Sequence, residues 1–184
     1  MRRRAFACAA ALLTLAASAG AAPPAALRAP QMSNLPLTFE RNTGHWPGQV
    51  QFVARSGGGT LYLTKREAVL DLRGKGKSVA LRLKLAGSNP GAAVTGLDKQ
   101  PGIVNYFLGN DPKMWRTRVP TYSRVKLAGV YPGVDLVYYG AGKGRTLEYD
   151  FVVKPGADPS RIRMAAAGAK SLRTVGGKLI ASTA

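Results

Sequence analysis

The chain has 184 residues, 46% hydrophobic and 20% charged, with 27 Lys and Arg against 9 Asp and Glu, a formal net charge of +18. That length suits one domain plus an export segment, and the composition excludes a disordered chain or a bundle of membrane helices. A single cysteine, Cys8, and a single histidine, His45, exclude a disulfide and leave too few soft ligands for a conventional zinc site.

Residues 1–21 read as a secretory signal peptide. Arg2, Arg3 and Arg4 make the basic start, and Ala5 to Ala17 an apolar stretch too short to span a bilayer. Small residues at alternate positions place cleavage after Ala19 or Ala21. Cys8 lies too early for a lipid anchor, and Sec and twin-arginine export both stay open. Cleavage removes three arginines and no acid, so the mature chain carries +15 and no cysteine. Residues 22–36 are rich in Pro and Ala without periodicity and read as a linker.

From residue 37 to 184 short apolar runs alternate with turn signals. Val50 to Ala54, Thr60 to Thr64 and Ala68 to Leu72 read as strands, with Ser56-Gly57-Gly58-Gly59 as a turn. Ser78 to Leu85 alternates cleanly, with Leu81, Leu83 and Leu85 on one face and Arg82 and Lys84 on the other, as in a sheet with one wet face. Gly102 to Leu108, Tyr122 to Leu127, Val134 to Tyr139 and Thr146 to Val153 follow, the last two joined by a loop over residues 140–145. On the last of these Leu147, Tyr149, Phe151 and Val153 share one face and Glu148 and Asp150 the other. Ile162 to Met164, Leu172 to Val175 and Lys178 to Ala181 complete the series. The expected fold is all-β, an antiparallel sandwich-like domain of many short strands with no long helix apart from the signal peptide. The sequence stops at Ala184 straight after a strand, either the domain's edge or a cut through something larger.

Chemistry is sparse. His45 lies in a turn-like stretch, and no G-x-S-x-G elbow occurs. Gly74-Lys75-Gly76-Lys77-Ser78 ends like a phosphate loop, but Asp71 stands where the first glycine belongs and a strand follows where a helix is needed. Asp135, Glu148 and Asp150 would converge if their strands pair, as a calcium site or an acid/base pair. Arg116, Arg124 and Arg145 are at hand to take them up in ion pairs instead. No catalytic residue, metal or cofactor is expected. Trp115, Arg116, Arg118, Tyr122, Arg124 and Lys126 make the candidate ligand surface, since aromatic faces among cations suit sugar rings and acidic polymers.

Residues 101–160 carry a distinctive string: Asn105-Tyr106-Phe107 with Gly109-Asn110, Trp115 with Val119-Pro120 and Tyr122, Tyr131-Pro132-Gly133-Val134-Asp135-Leu136, and Glu148-Tyr149-Asp150-Phe151 before Pro155-Gly156-Ala157-Asp158-Pro159. Together with residues 35–44 it resembles the N-terminal domain of large bacterial surface or secreted proteins that carry SBBP-type β-propeller repeats; no such repeats follow here. The resemblance implies no catalytic residues. The residues themselves give the motif a folding role: Pro132-Gly133 as a tight turn, residues 109–112 as a sharp loop anchored by Trp115, and Asp135 tied to a backbone amide or an arginine. Asn105, Tyr106, Tyr131 and Tyr149 belong to the same structural set.

The leading expectation is therefore an exported, non-catalytic structural or adhesion module, periplasmic, surface-bound or secreted. Its partners would be anionic envelope polysaccharide or other surface-protein domains, with no nucleic acid in vivo and no membrane span in the mature chain. Binding of acidic polysaccharide or another polyanion is the alternative, and a carboxylate hydrolase the second.

Overall fold

The computed structural model describes residues 37–56, 59–73, 78–141, 146–175 and 178–182. The expected signal peptide with its cleavage sites, the expected linker, and residues 57–58, 74–77, 142–145 and 176–177 lie outside the described residues. Among those described, strands take up 65% of the residues and no helix is long and apolar enough to cross a membrane.

The strands are β1 (Phe39–Arg41), β2 (Phe52–Ser56), β3 (Gly59–Leu63), β4 (Glu67–Arg73), β5 (Ser78–Leu85), β6 (Ala93–Tyr106), β7 (Arg116–Tyr131), β8 (Val134–Ala141), β9 (Thr146–Val153), β10 (Met164–Ala167), β11 (Ser171–Val175) and β12 (Lys178–Ser182). All pairings are antiparallel. The main sheet runs β10-β5-β4-β3-β2-β1-β7-β8-β9, with β6 added along β7, and β11–β12 form a separate hairpin.

Two strands are far longer than the expected short runs: β6 has 14 residues and β7 has 16. Their ribbon shapes the domain. β6 follows one edge of β7 throughout, which leaves the other edge to β1 at Thr121 and Tyr122 and then to β8 from Arg124 onward. The inward set along β7 is Tyr122, then Val125 and Leu127, so the alternation slips by one residue between them. Opposite the slip, Asp98 of β6 takes a left-handed φ of 52°, an uncommon conformation for a residue with a side chain. Such an irregularity bends a strand and sharpens its twist, so one ribbon serves both layers. The sandwich-like packing arises from one sheet curling on itself.

One core fills the curl. Phe39, Phe52, Leu63, Leu85, Leu127, Leu136, Val125, Val130 and Val134 are essentially without solvent contact. They sit inward because cross-strand partners share a face: Phe39 opposes Ala54, Ala54 opposes Leu61, and Phe52 opposes Leu63. The expected faces of β5 and β9 hold, since Leu83, Leu147 and Phe151 pack on the core while Arg82, Lys84, Glu148 and Asp150 are exposed.

The buried Tyr131 closes the curl. Its hydroxyl lies 3.0 Å from the Ala86 carbonyl and 2.8 Å from that of Arg163, and accepts the Arg163 amide at 3.3 Å. The end of β7 is thereby tied to the end of β5 and the approach to β10. The Asn89 amide adds a bond to the Val130 carbonyl at 2.9 Å.

Candidate functional site

The outer face of β1, β2 and β7 holds a second buried cluster. Val53 and Thr121 are the cross-strand partners of Glu40 on its two sides, and all three are buried although they point away from the core. An aromatic lid covers them. Tyr106, at the end of β6, donates its hydroxyl to Glu40, and Arg55 donates to Glu40 at 3.2 Å and to the Tyr106 oxygen at 2.9 Å. His45 stacks on Tyr106 with ring centres 3.9 Å apart, and Trp46 packs edge-on against His45 and Tyr62. The Arg55 guanidinium lies 5.3 Å from the Tyr106 ring centre and 5.9 Å from that of Trp46, within cation–π range.

A single side chain shapes the loop that presents His45 and Trp46. Asn42 accepts the amides of Gly44 and Trp46 at 3.0 and 3.1 Å and donates to the carbonyls of Trp46, Pro47 and Val50 at 3.1, 3.2 and 2.8 Å. Asparagine supplies both donors and acceptors from one amide. Gly44 turns there at φ 97°, a conformation L side chains avoid, with the Arg116 guanidinium alongside.

Burial, reinforced by Arg55 and Arg116, holds the His45 imidazole below its ordinary pKa against the opposing pull of Glu40. Burial and the Glu40 carboxylate push the Tyr106 phenol up. Glu40 is thus locked in place by two donors. A group that exchanges protons with a substrate needs an open path to it, and the lid covers Glu40.

The three carboxylates that the sequence brings together do share one face, because Val137 opposes Asp150 and Tyr139 opposes Glu148 while Asp135 lies two residues along β8. Their environments differ. Asp135 is buried, pairs with Lys126 at 2.9 Å and accepts the Gly129 amide at 2.8 Å. The Lys126 ammonium and that amide hold its carboxyl below the usual range. Glu148 and Asp150 are exposed and lie at the Tyr139 hydroxyl, whose pKa Asp150 and Glu148 raise. The expected amide tie of Asp135 is present, but its cationic partner is a lysine. Arg124 instead pairs with Asp98 at 2.5 Å, and Arg116 donates to the carbonyls of Lys113 and Trp115 at 3.1 Å each. Arg145 lies outside the described residues.

The candidate ligand surface of the sequence divides. Trp115 donates to the Gly109 carbonyl at 3.1 Å and packs edge-on against Phe107, anchoring the 109–112 loop as expected. Tyr122 turns inward against Phe52. Arg124 and Lys126 are taken up in ion pairs. Arg118 is exposed, with its backbone at φ 57° and its amide bonded to Asn105 at 2.8 Å.

Sequence reasoning passed over a concavity at one end of the sheet. A hollow of about 760 Å³ opens where the β1–β2 loop, the β3–β4 turn and the ends of β5 and β10 meet, with Gln49, Gln51, Lys65, Arg66, Glu67 and Lys84 among its walls. A second, of about 280 Å³, includes Arg41 and Trp46. The two share Gly48 and Gln51 and so form one trough. Glu67, the acid of the larger hollow, is paired with Arg82 at 2.9 Å. Lys65 and Arg66 fall between two expected strands and Lys84 on a wet face, so nothing in the linear pattern joins them to Trp46.

Among the described residues no three His, Cys, Asp or Glu gather as metal ligands. No curated protein and no solved structure matches the chain. One family model does, described as "Domain of unknown function (DUF7948)", and its match runs from Phe39, the first residue of β1, to residue 184. The span takes in the whole curled sheet, its aromatic lid and its trough, and the chain belongs to the DUF7948 family.

Proposed function

We propose that this domain is a non-catalytic extracytoplasmic module of a bacterial surface or secreted protein, serving structure, adhesion or assembly. The observation that carries the reading is the employment of the acids. Glu40, Glu67, Asp98, Asp135 and Asp158 are in ion pairs. Asp71 accepts from Ser78, and Asp111 caps a single turn of 3-10 helix. Glu148 and Asp150 sit at Tyr139. These are contacts that hold the frame. The leader-like residues 1–21 support export, and the resemblance of residues 35–184 to the N-terminal domain of SBBP-type repeat proteins supports a place in a larger surface assembly.

Expression of the full chain in a bacterial host, with fractionation and N-terminal sequencing, tests the localisation. A product beginning after Ala19 or Ala21 outside the cytoplasm supports it, and an uncut cytoplasmic product overturns it. Hydrolysis of acidic polysaccharides that disappears in the Asp135→Asn, Glu148→Gln or Asp150→Asn variant would replace the module by a carboxylate hydrolase. The binding of an acidic polysaccharide is a second reading with its own support: the trough beside Trp46 is walled by cations, and its acid is already paired.

A further inference from the structure

The geometry points to the trough running from Lys65, Arg66 and Lys84 to Trp46 as a binding site for an acidic oligosaccharide, a chain of carboxylate-bearing sugars. This rests on the binding form of the function proposed above.

Charge comes first. Lys65 and Arg66 sit on the β3–β4 turn, and Lys84 is on β5 directly across from Glu67. All three cations are exposed, and none takes part in an ion pair among the described residues. Glu67 does not offset them, because Arg82 neutralises it at 2.9 Å. The hollow thus presents uncompensated positive charge inside a concavity, where a focused field raises the local concentration of anions.

Shape and polarity then select among anions. The larger hollow has a volume of about 760 Å³, within the range of roughly 300–1,000 Å³ typical of ligand sites. Its walls combine the aliphatic surfaces of Leu85, Ala86, Pro90 and Ala165 with the amides of Gln49 and Gln51. A sugar acid fits that mixture: its C–H faces meet the aliphatic wall, its hydroxyls the amides, and its carboxylates the cations. A bare inorganic anion would use the cations alone. Across the Gly48–Gln51 rim, Arg41 and Trp46 continue the same pairing of cation with apolar face, so successive sugar units would find the same chemistry.

The frame is already set. Asn42 fixes the Trp46 loop with five hydrogen bonds. Thr64 fixes the β3–β4 turn by accepting the amides of Arg66 and Glu67 at 3.2 and 3.0 Å while its own amide donates to the Glu67 carbonyl at 2.9 Å. Ordering the site therefore costs the ligand little.

Isothermal titration of the mature chain, residues 22–184, with a short oligogalacturonate and with its methyl-esterified, uncharged form tests the site. Binding of the acid form that exceeds the ester at least tenfold is expected. The K65Q/R66Q/K84Q variant should lose about 30-fold, about threefold for each cation, as exposed ion pairs allow. The K99Q/K170Q variant, whose residues line neither hollow, should lose less than about threefold, against about tenfold for K65Q/R66Q with the same change in charge. Trp46→Phe should weaken binding while keeping the fold, read by circular dichroism. Equal losses from both double variants, or equal affinity for a single-stranded DNA of matched charge, would mean diffuse attraction and overturn the proposal. So would equal binding of ester and acid. Because these assays use purified protein, they fail or succeed independently of the export experiment.

Discussion

Asp135 separates a structural carboxylate from a chemical one most sharply. Replacing it by alanine strands the Gly129 amide, which it accepts at 2.8 Å, at a cost of about 1–2 kcal/mol for a donor left without a partner. Lys126 loses its partner as well, but its side chain is 37% exposed, so water compensates and the added loss is at most about 1 kcal/mol. Asp135→Ala should therefore destabilise by about 2–3 kcal/mol. Asp135→Asn keeps an acceptor for the amide and loses only the charge, about 1 kcal/mol or less. In a domain of this size 1 kcal/mol moves Tm by about 2–4 °C, so the two variants separate in urea or thermal unfolding. Acid gives a second handle. The folded pKa of Asp135 is depressed, so its ionic contribution is present above the ordinary carboxylate range and is lost as pH falls through the folded value. The gap between wild type and Asp135→Asn should thus narrow as pH falls below the ordinary Asp value of about 3.9 and close once pH is below the folded value. Equal destabilisation by Asn and Ala, or a gap that persists in acid, would refute this reasoning.

Tyr131→Phe removes the hydroxyl that ties β7 to β5 and to the approach to β10; chemical denaturation should show a loss of about 1–2 kcal/mol. Gly133→Ala introduces both a φ of 71° and a methyl 2.5 Å from the Ala157 Cβ; it should cost about 2–4 kcal/mol, and a second change, Ala157→Gly, should restore only the part due to the clash. His45 has a folded pKa below its ordinary value, so its contribution is full above about pH 6.5 and is lost as pH falls through the folded value; His45→Phe should flatten stability against pH in that window, measured by thermal unfolding.

Much of the fold is legible because strands announce themselves by alternation. In β5 three leucines and two cations settle which side is wet, and Asp135 beside a tight turn announces its amide tie. The length of β6 and β7 is hidden by punctuation that a twisted ribbon absorbs. The strand read from Gly102 to Leu108 starts only after Pro101, yet Pro101 sits inside β6 where the register shifts between Lys99 and Ile103, on a strand whose outer edge needs no amide. β1 escapes notice because three residues, Phe39-Glu40-Arg41, carry too little pattern. The site is less legible still. Glu40 and Tyr106 bond across 66 positions, and His45 finds its stacking partner only when the end of β6 crosses its loop. Local periodicity reports which way a side chain points, and contacts at such separation depend on how far the sheet curls.

The two buried clusters divide the labour of the domain. The apolar core holds the curl by burial of large side chains, with the Tyr131 hydroxyl tying its ends. The outer cluster spends its polar groups on fixing one loop and one strand end against the sheet: Glu40 takes two donors, Arg55 bridges carboxylate and phenol, and Asn42 satisfies five backbone groups. These contacts fix the loop that carries Trp46, while the buried His45 Nδ1 of the same cluster has no hydrogen-bond partner among the described residues, so the placement is held at a cost in stability. Rigid placement of an aromatic beside free cations favours recognition, since it removes the ordering cost from binding.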